Sequence, residues 1–216
     1  MKFKERFSVQ DLEKVKAAVK AAEQKISGEI IPVFVERSDP YKITQYKSGA
    51  LLAAFVFLLI IFFDRYVPAL AVYDPMYIFV IVLISGLLGA FIPEISDVYK
   101  RALLHASTME HASFQKAETM FLEEEVFYTR QRTGIMIFIS FFEHEVIVMA
   151  DRGISKVVEQ KVWDKVVTNL VKAIKKDNAV DGTINAIQEC TEILLKHGFQ
   201  RTTDDINELS DNLRIE

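Results

Sequence analysis

Apolar residues are concentrated in two uninterrupted segments that lie close together along the chain. The first covers residues 48–63 (SGALLAAFVFLLIIFF) and the second covers residues 76–92 (MYIFVIVLISGLLGAFI). Neither segment contains a charged residue. A helix of roughly 20 apolar residues crosses the ~30 Å hydrocarbon core of a bilayer. The pattern therefore predicts a transmembrane hairpin of two helices over residues 47–93.

Aromatic and small residues add detail to this hairpin. Tyrosines bracket both segments, as expected of residues at the membrane–water interface: Tyr46, Tyr66, Tyr73, Tyr77 and Tyr99. Ser85, Gly86 and Gly89 give the second helix a small face, which favours close packing of the two helices. The alternative is a pair of core helices in a soluble protein, which usually carry polar residues on one side.

The short loop between the two segments, residues 64–75, places both flanking parts of the chain on one side of the membrane. The loop contains only Arg65, whereas basic residues flank the outer ends of the hairpin: Arg37, Lys42, Lys47, Lys100 and Arg101. Residues 1–20 lack the apolar core of a secretory signal. By the positive-inside rule we expect a multi-pass protein of the cell (inner) membrane with both termini in the cytoplasm.

The segment before the hairpin predicts one helix and one strand. Apolar residues recur at helical spacing over residues 7–26, and Ser8 followed by Asp11 has the spacing of a helix N-cap. Residues 29–36 (EIIPVFVE) predict a β-strand. Pro32 lacks a backbone donor, which indicates an edge position or a bulge.

The segment after the hairpin alternates between helices and strands. Its periodicity predicts helices over residues 112–127, 158–175 and 181–198, and strands over residues 135–141 and 145–151. The first strand is apolar throughout, which is typical of a strand covered on both faces. In the first helix, one apolar stripe is expected to face the core: Phe114, Ala117, Phe121 and Leu122. The acidic tail, residues 200–216, is expected to be flexible or to lie across the domain.

Neither flanking segment can bury a core alone, because the first offers only one helix and one strand. We therefore predict that residues 1–46 and 100–199 form one domain, with the hairpin inserted at a surface loop. The expected fold class is α/β (α+β), with a mixed sheet sandwiched by helices and interrupted by a two-helix transmembrane hairpin.

Composition narrows the classes of protein. The chain has 216 residues, a net charge of −4 and a mean hydropathy of +0.17. It therefore lacks the overall basic charge of a nucleic-acid-binding protein, and we expect no nucleic acid partner. Cys190 is the single cysteine, so an intrachain disulfide is excluded. Its apolar helical neighbours favour a small buried side chain over a reactive nucleophile.

Several strings of residues resemble the TPM domain family. They are EQKISGEIIPVFVE, RTGIMIFIS and VIVMADRGIS, followed by DGTINAIQECTEILLKHG and a tail, TTDDINELSDNL. The chain is most similar to a bacterial branch of integral membrane proteins that carry a membrane hairpin within the domain. This resemblance covers nearly the whole chain.

The resemblance implies a mixed sheet sandwiched by helices and three kinds of activity. Some members of the family are similar to weak acid phosphatases, some bind calcium, and others act as accessory subunits of membrane complexes. Most members place the domain outside the cytosol behind a signal peptide. This chain departs from that pattern.

Charged residues at predicted strand ends are the candidate site. If the first and third strands end at one edge of the sheet, Glu36, Asp39 and Asp151 could hold a divalent cation, calcium or magnesium. Arg152 would then contact a phosphate, and Gly153 would allow close approach of a ligand. The alternative is that residues 151–153 form a turn with an aspartate cap, and that Glu36 and Asp39 lie in a solvated loop.

Two functions follow from these observations. The first is an accessory or partner-binding module at the membrane, with the lipid bilayer and another membrane protein as partners. The second is a weak metal-dependent phosphatase of the TPM type. The histidines show no metal-ligand spacing, and the chain contains no HExxH, CxxC pair, P-loop or GxSxG motif. A simple anchor for self-assembly is neither favoured nor excluded.

Overall fold

The computed structural model describes residues 3–176, 178–202 and 208–216. It divides the chain into two compact units. The first unit combines residues 1–39 with residues 110–216, and the second consists of residues 40–109. The segments on either side of the hairpin therefore contribute to one unit, with boundaries that lie outside the predicted hairpin limits of 47 and 93.

A mixed four-stranded sheet forms the centre of the first unit. Its strands are β1 (Glu29–Val35), β2 (Gly134–Ser140), β3 (Glu145–Ala150) and β4 (Arg214–Ile215), in the order β3-β2-β1-β4. The β1 strand runs parallel to β2 and β4, whereas β3 is antiparallel to β2. The predicted fold class, a mixed sheet with helices, is confirmed.

Helices cover both faces of this sheet, because β1 and β2 are apolar on both sides and fully buried. The larger core lies beneath α1 (Val9–Glu23), α7 (Asp164–Ile174) and α8 (Ala179–Lys196). The smaller core lies beneath α5 (Ala106–Glu123). Fully buried strands with helices on each side are typical of such layered folds.

The N-terminal helix begins where the sequence predicts. The hydroxyl of Ser8 accepts a hydrogen bond from the backbone N–H of Asp11 at 3.1 Å. The Asp11 carboxylate in turn accepts one from the backbone N–H of Ser8 at 3.0 Å. This reciprocal capping box satisfies two of the donors that a helix start leaves unpaired.

Two helical predictions differ from the structure. Residues 158–175 were expected to form one helix, but a short α6 (Arg152–Ser155) and a 3-10 turn (Gln160–Trp163) precede α7. In α5 the residues facing the core are Ser113, Ala117 and Met120, whereas Phe114 and Leu122 are exposed. The predicted stripe is therefore wrong at Phe114 and Leu122, because α5 is rotated so that Ser113 and Met120 are buried instead.

The C-terminal segment adds the fourth strand, which the sequence did not predict. Arg214 and Ile215 pair with Val33 and Phe34 of β1. Among the described residues this pairing involves only the second half of β1. Pro32, which has no backbone donor, lies just before the paired residues. Residues 203–207 of the predicted tail lie outside the described residues.

The second unit contains the hairpin. Its helices are α2 (Ile43–Tyr66) and α3 (Pro75–Ile95), followed by α4 (Asp97–Ala102). Both long helices extend beyond the apolar segments predicted from sequence: α2 adds residues 43–47 and 64–66, and α3 adds residues 75 and 93–95. At 1.5 Å per residue they are about 36 and 32 Å long.

Candidate functional site

One end of the sheet holds an ion pair between Arg132 and Asp151. Asp151 follows β3 and is 5% exposed, and its Oδ2 atom lies 2.8 Å from Arg132 Nε. The Oδ1 atom accepts from Arg132 Nη2 at 3.2 Å and from the backbone N–H of Arg152 at 2.6 Å. The carboxylate therefore caps α6 and holds the preceding turn.

Gly153 lies against the protein's own backbone. A Cβ atom at this position would lie 2.4 Å from the carbonyl oxygen of Gln131 and 2.5 Å from that of Arg132. The backbone N–H of Gly153 donates to the same Arg132 oxygen at 2.8 Å. The close approach expected here is therefore an internal contact with residues 131–132, not a contact with a ligand.

Arg152, the predicted phosphate contact, has an exposed side chain beside this turn. It shares the end of the sheet with Asp151, as the sequence predicts for adjacent residues.

Glu36 and Asp39 lie at the opposite end of the sheet. Glu36 follows the last residue of β1, and both side chains are exposed. Because β3 is antiparallel to β2, it ends where β1 and β2 begin: the backbone N–H of Asp151 donates to Gly134 O at 2.8 Å. Seven residues of strand separate the two ends, which is about 20 Å.

The expected convergence of Glu36, Asp39 and Asp151 on one cation is therefore wrong. Its premise was that the first and third strands end at one edge, and the antiparallel turn between β2 and β3 reverses the third strand. Within residues 3–176, 178–202 and 208–216, no three His, Cys, Asp or Glu side chains form a group that could hold a metal ion. Binding of calcium or magnesium stays a prediction without a ligand set.

A cluster of buried hydroxyls occupies the end of the sheet near Glu36. Ser140 ends β2 and donates a short hydrogen bond to the carboxylate of Glu143. The same carboxylate accepts from the backbone N–H of Ser38 at 2.9 Å. The Ser38 hydroxyl lies 3.1 Å from that of Ser140 and 3.3 Å from that of Ser113. These contacts fix the loop after β1 against α5.

Sequence reasoning missed this serine cluster because its members are far apart along the chain. Ser38 and Glu143 are separated by 105 positions, and no local spacing connects them. Ser113, Ser140 and Glu143 are each 3% exposed or less. Three of the four members are therefore shielded from solvent and bonded within the cluster, so the geometry points to a structural role.

Two acidic side chains meet where α1 ends and β1 begins. Glu23 Oε1 accepts from the backbone N–H of Ile30 at 3.1 Å, and Glu29 Oε1 accepts from the backbone N–H of Glu208 at 3.0 Å. Burial, followed by the charge of Glu29, raises the pKa of Glu23 to about 9. Glu23 is therefore protonated at neutral pH, which allows the two acids to coexist.

The hairpin presents an extended apolar surface. Only 11% of the apolar window of α2 and 17% of that of α3 is buried. Two helices are thus long and apolar enough to span a membrane. The outward side chains are large, and those more than half exposed include Leu51, Phe55, Leu58, Phe79, Leu83, Leu87, Leu88 and Phe91.

The small face predicted on the second membrane helix is used inside the hairpin. A Cβ atom on Gly89 would lie 2.8 Å from Leu52 Cβ and 2.9 Å from Ser48 O. The Ser48 hydroxyl donates to the carbonyl oxygen of Gly89 at 2.6 Å. Close packing of α2 on α3 is therefore confirmed, and this small face is covered within the hairpin.

Polar contacts collect at one end of the hairpin. The Lys100 ammonium lies 3.0 Å from the Glu94 carboxylate, and the Gln45 amide donates to the same oxygen at 3.1 Å. The Lys47 ammonium donates to Leu103 O at 2.9 Å. Lys100 itself is 1% exposed. These contacts satisfy charges next to an apolar surface, where an unpaired charge is costly.

The remaining candidates for chemistry are one cysteine and four histidines. Cys190 is fully buried, and burial raises the pKa of its thiol well above the usual range. His105, His111 and His144 are exposed. The ring of His197 bonds to Ile193 O at 2.7 Å. Each of these side chains has the structural or solvated setting that was expected.

Comparison with known proteins shows what this fold is similar to. No protein-family model matches the chain, and no curated protein matches it. The NMR structure of the BA42 protein from the psychrophilic bacterium Bizionia argentinensis matches with a TM-score of 0.61 at 17% identity. The match covers 100% of this chain and 99% of that one. At this identity the similarity concerns the fold alone.

Proposed function

We propose that this chain is an integral membrane protein whose hairpin anchors a cytosolic, TPM-like accessory domain that binds a partner at the membrane. The observation that carries the proposal is the pair of helices α2 and α3, long enough to span a bilayer and apolar around their outer surface. Core helices of soluble proteins are mostly buried, whereas these are mostly exposed.

The ends of the hairpin support the membrane assignment. Tyr46, Tyr66, Tyr73 and Tyr77 are each at least 66% exposed and lie in the first or last turn of the two helices or in the loop between them. Tyrosine is favoured at the membrane–water interface because its ring is apolar and its hydroxyl is polar. The basic residues beyond these ends support a cytoplasmic position for the domain.

The buried polar groups at the two ends of the sheet bond to neighbours within the domain, which supports an accessory role rather than catalysis. Asp151 is held by Arg132, and Ser140 and Glu143 are buried in the serine cluster. Each is already bonded to a neighbour within the domain. A catalytic site needs groups that are accessible and oriented toward a substrate. Binding by surface complementarity requires no such arrangement.

No observation favours the phosphatase alternative. It required Asp39 and Asp151 to hold one cation, with Arg152 on the phosphate, and the two carboxylates lie at opposite ends of strands about 20 Å long. The proposed TPM resemblance rests on the three strings of residues EQKISGEIIPVFVE, RTGIMIFIS and VIVMADRGIS. These strings contain the adjacent strands β1 and β2 and, apart from its first residue, β3.

Membrane insertion and orientation can be tested together. In a Cys190→Ala background, Ala71→Cys marks the loop between the helices and Gln188→Cys marks the exposed face of α8. We expect an impermeant maleimide to label Ala71→Cys in intact cells stripped of their wall, and Gln188→Cys only after permeabilisation. The protein should resist extraction by alkaline carbonate. Labelling of both sites in intact cells, or release by carbonate, would contradict the proposal.

Binding of a partner protein beside the hairpin is tested separately. A photo-crosslinking amino acid at Leu88, which is 61% exposed on α3, samples whatever lies beside the hairpin. The matched control is Cys190, which is fully buried. We expect a discrete protein adduct from the first position and none from the second. Adducts with lipid alone would leave the anchor standing and remove the membrane partner.

A further inference from the structure

The C-terminal strap, residues 208–216, is held to the first unit as a peptide ligand would be. The Arg214 guanidinium lies 2.7 Å from the Glu124 carboxylate, and the Lys116 ammonium lies 2.8 Å from the Glu216 carboxylate. At its start, Glu208 forms an ion pair with Arg130 at 3.3 Å. All of these partners lie outside the strap.

Apolar and backbone contacts place the strap across the sheet edge. Leu213 and Ile215 pack on the larger core, whereas Leu209 packs on the smaller one. The backbone N–H of Glu36 donates to Glu216 O at 2.9 Å, and that of Glu216 donates to Phe34 O at 2.9 Å. The strap thus fills a strand position that β1 leaves open.

The strand pairing of the strap is short, and two of its three ion pairs have one exposed partner, whereas the Arg214–Glu124 pair is mostly buried. Continuous pairing spans only two residues, because Pro32 offers no donor and Glu23 already satisfies the Ile30 N–H. The side chains of Arg130 and Glu216 are 69% and 56% exposed, and exposed ion pairs contribute about 0–1 kcal/mol each. Terminal elements with such contacts open more readily than the core.

We propose that two copies of this chain exchange their C-terminal straps, so that each β1 edge receives residues 208–216 of the other copy. The segment that fits the edge is known from the structure, and its charges complement those of the edge. The exchange conserves every ion pair and backbone bond described for the strap. It is reciprocal, so a two-fold dimer fills both edges and closes.

Surface density decides between the closed monomer and the exchanged dimer. The monomer and the dimer contain the same strap contacts. The equilibrium between them therefore depends on the effective concentration of another copy's strap relative to that of the chain's own strap. Confinement to a bilayer raises that concentration, a step that rests on the proposed membrane anchor. The dimer fraction should therefore rise with protein density and fall when the bilayer is diluted with lipid.

The native Lys116–Glu216 ion pair allows a direct test. Chains labelled with ¹⁵N are mixed with unlabelled chains, reconstituted in vesicles and treated with a carbodiimide, which joins an amine to a contacting carboxylate. We expect mixed-isotope Lys116–Glu216 links to approach half of all such links at high density. The control is Lys100–Glu94, an ion pair within one hairpin, which should give same-isotope links only.

Two charge-reversed variants provide a second test of the strap exchange. A Glu124→Arg chain repels its own Arg214, and an Arg214→Glu chain repels its own Glu124, so each alone should lose strap links. Mixing the two should restore mixed-isotope links between the Glu124→Arg body and the Arg214→Glu strap. Recovery of at least about 10-fold corresponds to roughly 1.4 kcal/mol.

Two results would overturn the exchange. One is a Lys116–Glu216 link that remains same-isotope at every density, and the other is a mixture of the two charge variants that restores nothing. Flotation with vesicles is scored separately. A chain that does not float overturns the membrane anchor, and the same cross-links formed in detergent then decide the exchange by their dependence on concentration.

Discussion

The Nε atom of Arg132 lies 2.8 Å from the Oδ2 atom of Asp151, at the end of the sheet where β2 begins and β3 ends. This contact assigns a structural role to an aspartate that the sequence offers as a metal ligand. Asp151→Ala removes the α6 cap and leaves Arg132 without its partner. We expect a loss of about 1–3 kcal/mol in the free energy of unfolding, measured by denaturant titration in detergent.

The matched control for Asp151 is Asp39→Ala, at the exposed opposite end of the sheet. It should lower the free energy of unfolding by less than Asp151→Ala does, because the Asp39 side chain is exposed and that of Asp151 is buried. The change in melting temperature on adding magnesium or calcium should be the same in both variants as in the parent. A metal-dependent shift that disappears in either variant would show that the carboxylate binds a cation.

Glu23 gives the stability a pH dependence with a defined sign. Its pKa is 4.5 unfolded and about 9 folded. The stability it contributes is therefore present below pH 4.5 and is lost as pH rises toward 9. Glu23→Gln keeps an acceptor for the Ile30 N–H without the titration. We expect the variant to melt above the parent near pH 9, and the difference to vanish below pH 4.5. Parallel melting curves across this range would count against the raised pKa.

Two glycines of the hairpin should respond differently to the same substitution. Gly89→Ala places a Cβ 2.8 Å from Leu52 Cβ and should separate α2 from α3, at a cost of about 1–3 kcal/mol. Gly86→Ala places a Cβ 3.5 Å from Ala53 Cβ, which is an ordinary contact, and should be tolerated. Thermal unfolding of both variants in one detergent checks the difference. Equal effects would contradict the packing described here.

Removing the end of the strap should expose a single stretch of β1. Deletion of residues 212–216 takes away the acceptor of the Glu36 N–H, so hydrogen exchange at that amide should accelerate. The Ile30 amide is the internal control, because it donates to Glu23 and does not depend on the strap. Acceleration at both amides would indicate general unfolding of the domain instead.

Phosphate-ester hydrolysis separates the two functions. Since Asp39 and Asp151 lie at opposite ends of the sheet, they cannot act as one metal site. We expect turnover with magnesium, manganese or calcium to be the same in the parent and in Asp39→Ala. Metal-dependent turnover that disappears in this variant would restore the phosphatase alternative and place its site at the end of β1.

The sequence by itself determined the elements that depend on local pattern. The hairpin follows from two uncharged apolar segments, and the start of α1 follows from Ser8 and Asp11, three positions apart. The strands β1 and β2 follow from their β-branched and aromatic content. Each of these features involves neighbours in the chain, so propensity and periodicity are enough to predict it.

Only the tertiary structure decided which ends of the strands meet. Because β3 is antiparallel to β2, Asp151 and Asp39 lie at opposite ends of the sheet. The strap pairs with β1 although the two segments lie near opposite ends of the sequence, and Ser38 bonds to the distant Glu143. The rotation of α5 toward Ser113 and Met120 also depends on the sheet beneath it. These arrangements are fixed by long-range packing and hydrogen bonding, for which a local sequence pattern carries no signal.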